Sequence, residues 1–162
     1  MNVLVTFYCL NGETEKLALA AGLGAVQGRA AIRFRRLHPE SGETTVDERL
    51  DQDYVAPKEA DALWADAIIL GTPSQLAIFS PVLKQYFDLL AHTGVSGKAS
   101  AVFVSNRDAG AGVLAGLHAS MSELGSKVLA VDSCAVDSAE DARLLGRRIA
   151  ELAGAPTTSG RT

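Results

Sequence analysis

The chain has 162 residues, 48% of them hydrophobic and 21% charged, with 15 glycines and a formal net charge of −4. That length suits one domain around one sizeable core, and the apolar content excludes an intrinsically disordered chain. The negative charge and the lack of a Lys/Arg-rich face set nucleic acid aside as a main partner, and no apolar stretch reaches the length of a membrane span.

The N-terminal run MNVLVTFYCL carries no basic leader, so secretory targeting is not expected. Cys9 and Cys134 match no metal spacing and suit a reducing cytoplasm. His38, His92 and His118 form no closely spaced pair, which leaves metal chemistry without support.

In chain order, residues 3–8 are a short β-rich run that predicts a first strand. Asn11-Gly12 makes a turn, and residues 13–26 carry Leu17, Ala18, Ala21 and Ala25 at helical spacing, with Asn11 as the candidate cap. Residues 31–37 read as a second strand whose Arg33, Arg35 and Arg36 mark a sheet edge, where charge protects an open ladder. Residues 39–57 are polar and acidic and read as a surface connection, too loosely spaced for a metal loop. A short helix over residues 57–64 leads into Ala67-Ile68-Ile69-Leu70, an apolar run of the kind buried on both faces, which Gly71-Thr72-Pro73 ends.

Ser80-Pro81 then opens a helix through residue 90, with serine at the cap and proline in the first turn. Lys98 precedes a strand at residues 101–105, and the glycine-rich residues 108–112 form a loop into a helix ending near Gly125. A fifth strand at residues 128–131 and a last helix over 137–152, capped by Asp137 or Ser138, complete the pattern. Strands alternating with helices predict a single α/β domain over residues 1–154, with a parallel sheet of order 2-1-3-4-5 and helices on both faces. Residues 155–162 read as a flexible tail.

In such sheets ligands bind outside the carboxyl ends of the strands, beside the point where strand order reverses. Three loops meet there, at residues 9–14, 72–79 and 106–112. The first is short, contains Gly12 and feeds a helix, which suits a phosphate and equally suits a plain helix start. Gly110-Ala111-Gly112-Val113-Leu114-Ala115 fits a loose dinucleotide fingerprint, but it follows the fourth strand, so glycine-rich helix entry explains it better.

These residues carry a resemblance. Gly12-Glu13-Thr14-Glu15-Lys16-Leu17-Ala18 resembles the phosphate loop of flavodoxins and the G-H-T-E-x-L-A stretch of WrbA-type FMN-dependent NAD(P)H:quinone oxidoreductases, kin of the NADPH-dependent FMN reductases. The segment from Asp66 through Gly71-Thr72-Pro73-Ser74, the helix from Ser80 to Asp88, and Gly97-Lys98 through Ser105 are similar to the next three segments of that group, in the same order. The resemblance implies a flavodoxin-like three-layer sandwich that binds FMN and uses NAD(P)H to reduce quinones or similar small acceptors.

By that resemblance Cys9, Leu10, Asn11, Gly12, Glu13 and Thr14 hold the FMN phosphate. Pro73, Ser74, Gln75, Leu76, Ala77, Ile78 and Phe79 pass under the isoalloxazine, and Ser105, Asn106, Arg107, Gly110 and Gly112 close over it. A cytoplasmic homotetramer or homodimer follows, with no side chain acting as acid or base. Four positions depart from the group's pattern. Cys9 stands where Ser or Thr is usual and Glu13 where Asn or His is usual, while Ala77 and Ile78 replace a Gly-Asn pair.

Rival readings use the same loops. A receiver domain needs paired acids after the first strand, where Tyr8-Cys9 stand, and a low-molecular-weight phosphatase needs an arginine where Glu15 stands. An electron-carrier flavodoxin is expected to flank its flavin with Trp or Tyr, which loops two and three lack. A flavin-free domain acting through protein contacts is the remaining alternative.

Overall fold

The structure, a computed structural model, describes residues 1–9, 12–38, 53–73, 80–105, 111–129 and 136–154. Within them, strands β1 (Asn2–Tyr8), β2 (Ala31–Leu37), β3 (Ala67–Thr72), β4 (Ala99–Val104) and β5 (Lys127–Val128) alternate with helices. These are α1 (Glu13–Gln27), α2 (Glu59–Trp64), α3 (Pro81–Thr93), α4 (Ala111–Glu123) and α5 (Ala139–Gly154). All strand pairs are parallel, in the order β2-β1-β3-β4-β5 anticipated from the sequence.

The central strands explain their own composition. Val3 to Tyr8 of β1 and all of β3 are buried, as expected where helices cover both faces and no polar alternation is needed. Val5 stands level with Phe34 on one side and Ile69 on the other. Phe34 lies under α1, close against Gly22, so alternate residues on β2 separate the layers: Ile32, Phe34 and Arg36 face α1, while Arg33 and Arg35 face α2. Thr6, one residue on from Val5, faces the opposite layer and reaches Tyr86 of α3.

Helices α1 and α5 share one face and cross at very short range. A Cβ on Gly146 would stand 1.8 Å from the Ala21 carbonyl oxygen, and one on Gly24 the same 1.8 Å from that of Arg143. Glycine here is a packing requirement rather than a turn signal.

Several boundaries differ from the expectations. β3 runs on through Gly71-Thr72 because the Phe103 ring lies where a Cβ of Gly71 would be, so a strand glycine makes room for β4. β4 begins at Ala99 and ends at Val104, leaving Ser105 just beyond it. α4 already includes Gly112, which therefore belongs to a helical first turn and not to the loop. The described part of the fifth strand is Lys127–Val128, and α5 starts at Ala139 with the Ser138 Oγ accepting the Asp141 N–H at 3.2 Å. Gly12 is the cap of α1, while Asn11 lies outside the described residues, as do residues 39–52 of the acidic connection and the tail at 155–162.

The edge position read from the arginines holds, but the role of their charges differs from the expectation. β2 is an edge strand, yet its Arg36 is wholly buried and its backbone N–H donates to the Val55 carbonyl at 3.0 Å. Arg33 and Arg35 both bond Asp61, and Arg33 stacks 4.2 Å over the Trp64 ring. These charges organise the packing of α2 on the sheet.

Candidate functional site

The carboxyl ends of β1, β3 and β4 lie side by side, which brings the starts of the three loops together. At the first, β1 passes through buried Cys9 to Gly12, whose φ of 93° is the left-handed conformation that glycine adopts without strain. Among the described residues, its chain neighbours aside, no atom lies within 4 Å of where its Cβ would be. The first helical bond runs from the Lys16 N–H to the Gly12 carbonyl at 3.2 Å, so the N–H groups before it have no acceptor inside the helix. The cap residue, Gly12, has no side chain with which to cap them. A helix start entered through glycine, with its positive dipole end, is an anion-binding surface.

The flanking side chains agree with that. Thr14 is buried and Glu13 is exposed. Glu15 is buried, accepts the Tyr54 hydroxyl at 2.6 Å, and thereby ties the end of the acidic connection to the helix start. Tyr54 also stands edge-on to Phe7, with ring centres 5.0 Å apart. Cys9 is held at both ends: its Sγ accepts the Gly12 N–H at 2.9 Å, and its carbonyl accepts Arg36 Nε and Nη2 at 3.1 and 2.7 Å.

At the second loop, Thr72 is fully buried and its Oγ1 has no hydrogen-bond partner among the described residues. An orphaned hydroxyl inside a fold is costly, and at a site edge it marks a place for a ligand atom. Pro73 follows, partly exposed. The third loop is tied to the second at its base, since the Ser105 N–H donates to the Thr72 carbonyl at 2.9 Å. Beside these starts an open cleft of about 580 Å³ runs from Glu13, Lys16 and Leu17 past Ser105 to Val136, Asp137 and Ala139.

Of the residues singled out from the sequence, Cys9, Gly12, Glu13, Thr14, Pro73 and Ser105 are thus at one edge of the sheet, and Gly112 is exposed in the first turn of α4. Leu10, Asn11, Ser74, Gln75, Leu76, Ala77, Ile78, Phe79, Asn106, Arg107 and Gly110 lie outside the described residues. Sequence reading missed Arg36, Lys16 and Asp137. For Arg36 the signal was present: it falls out of step with Arg33 and Arg35 and in step with Ile32 and Phe34, on the apolar face.

Beneath the site on the other face, the Tyr86 hydroxyl and Thr6 Oγ1 are 2.8 Å apart and buried. Burial pushes the Tyr86 phenol far above its ordinary range, so it is a neutral hydrogen-bonding group. Among the described residues no helix is long and apolar enough to cross a membrane.

The profile of a family described as NADPH-dependent FMN reductase matches residues 10–141. An NAD(P)H dehydrogenase (quinone) of Archaeoglobus fulgidus is 34% identical over 118 residues, which are 64% of this chain and 61% of that protein. One from Paracoccus denitrificans is 35% identical over 112 residues, 64% of this chain and 53% of that protein. The chain therefore matches between half and two thirds of the length of these relatives. Among solved structures, a flavodoxin from the domain Archaea aligns with a TM-score of 0.67 at 19% identity, covering 94% of this chain and 99% of that one, a likeness of fold.

Proposed function

The chain belongs to the NADPH-dependent FMN reductase family, and from that premise we propose that it binds FMN and reduces quinones or similar small acceptors with NAD(P)H. The observation that carries the proposal is the start of α1 at Gly12, a left-handed glycine with no capping side chain of its own, at the sheet edge where a phosphate would sit. The described residues fit the cofactor. Among the described residues nothing crowds Gly12 and the Thr72 hydroxyl one loop away lacks a partner, while Thr14 is buried at the helix start.

In this reading the backbone of residues 9–14 and the Thr14 hydroxyl hold the phosphate. Residues 73–79 form the bed of the ring, with Leu76, Ala77, Ile78 and Phe79 excluding water. Ser105, Asn106, Arg107, Gly110 and Gly112 bound its polar edge. The chemistry FMN supplies when bound is acceptance of a hydride from the nicotinamide and its transfer to the acceptor. The protein's part is to position and to exclude solvent.

With this reading go a cytoplasmic location and assembly as a homodimer or homotetramer. Exposed Leu19, Leu23 and Val26 on α1 and Leu144 and Leu152 on α5 support self-association through these two helices. The test is NAD(P)H consumption by the purified chain with FMN and benzoquinone. Turnover that needs all three components is expected, while FMN binding without NAD(P)H oxidation would make the protein an electron carrier.

A further inference from the structure

Arg36 is an unusual residue for the inner face of a parallel sheet. Its side chain is wholly buried, on the face of β2 that carries Ile32 and Phe34 beneath α1. It stands level with Phe7 of β1 and reaches past the end of that strand, where Nε and Nη2 both donate to the Cys9 carbonyl. Arg36 has further partners besides this one. Two donors of one rigid fork on a single oxygen fix that carbonyl in direction as well as in place, which a lysine ammonium does not do.

The anchored residue is the first of the phosphate loop. Its other end is held as well, by the Gly12 N–H on Cys9 Sγ. A carbonyl oxygen turned into an anion's cradle would repel the anion, whereas N–H groups attract it. Holding the Cys9 carbonyl against β2 keeps that oxygen out of the cradle. It also sets where the chain leaves β1 for the helix start.

We propose that Arg36 is a positioning residue for the phosphate of the flavin, acting through the Cys9 carbonyl. The proposal rests on the FMN reading above and assigns Arg36 to one part of the ligand: the phosphate, not the ring. FMN and riboflavin share ring and ribityl chain and differ in that phosphate, so the pair isolates the effect.

The experiment measures dissociation constants of FMN and riboflavin for the wild-type chain and for Arg36→Lys, which keeps the charge and loses the fork. The expected result is a fall of about tenfold or more in FMN affinity, with riboflavin affinity changed by no more than about twofold. A parallel loss for both ligands, or a loss for neither, would overturn the proposal. Because a buried arginine can be needed for folding, the wild-type chain provides a second readout, the Arg36 Nε–H resonance. It is expected to shift on adding FMN and to stay in place with riboflavin, and equal shifts would also overturn the proposal. A wild-type chain that binds neither flavin would sink the FMN reading itself, whereas FMN binding with an unchanged FMN-to-riboflavin ratio in Arg36→Lys would sink only this inference.

Discussion

Gly146→Ala tests the contact that fixes α1, and hence the site at its N-terminus, against the rest of the fold. The new Cβ would lie 1.8 Å from the Ala21 carbonyl oxygen and 2.6 Å from its carbon. Those are backbone atoms of a helix, so nothing can rotate aside, and α1 and α5 must part by more than an ångström. Alanine in an ordinary helix position would instead gain about 1 kcal/mol over glycine. Overpacking typically costs about 1–3 kcal/mol and lies here at the upper end, because backbone meets backbone. The net expectation is a loss of about 1–2 kcal/mol, or roughly 2–8 °C in Tm for a chain of this size. Gly112→Ala is the control: it lies near the start of α4 with no described residue within 4 Å of the added Cβ, and is expected to hold or slightly raise Tm. Thermal unfolding followed by far-UV circular dichroism measures both. A Gly146→Ala protein that melts at or above the wild type would refute the packing argument.

Three further outcomes are expected. Cys9→Ser replaces a weak thiol donor by a hydroxyl in the phosphate loop and should tighten FMN by roughly three- to tenfold in a fluorescence titration; weaker binding would show that this side chain does not serve the phosphate. Tyr86→Phe orphans the buried Thr6 hydroxyl and should cost about 1–3 kcal/mol in urea unfolding, with Thr6→Val in the same chain restoring most of it. For Asp61, burial raises the pKa, but the bonds from Arg35, the Lys58 N–H and Arg33 outweigh it and hold the carboxyl below its ordinary 3.8. A depressed folded-state pKa stabilises the protein above that ordinary value, and the contribution fades as pH falls through the folded value. The Tm difference between wild type and Asp61→Asn should therefore be full near neutral pH and shrink below about pH 3.8; a gap constant with pH would contradict it.

The layout was legible because β1 and β3 are continuous apolar runs and their neighbours alternate with helical periodicity; strand order then followed from the rules of parallel sheets. The roles of single residues were less legible. Gly24 and Gly146 look like weak points of helices until the crossing is seen, since a close approach of two backbones leaves no pattern within either segment. Arg36 was grouped with Arg33 and Arg35 by kind, when the two-residue period of a strand separates them. Cys9 read as a poor substitute for a hydroxyl. Its Sγ holds the Gly12 N–H, a bond across a three-residue turn that composition does not reveal. Thr72 marked the end of a strand, and only the structure shows that its buried hydroxyl has no partner among the described residues.

The most direct test of the central claim is equilibrium titration of the purified chain with FMN, following quenching of flavin fluorescence. A saturable transition with one FMN per chain and a dissociation constant of about 10 μM or below, near −7 kcal/mol or tighter, is expected. Flavin fluorescence that stays unquenched up to tens of micromolar FMN would contradict it.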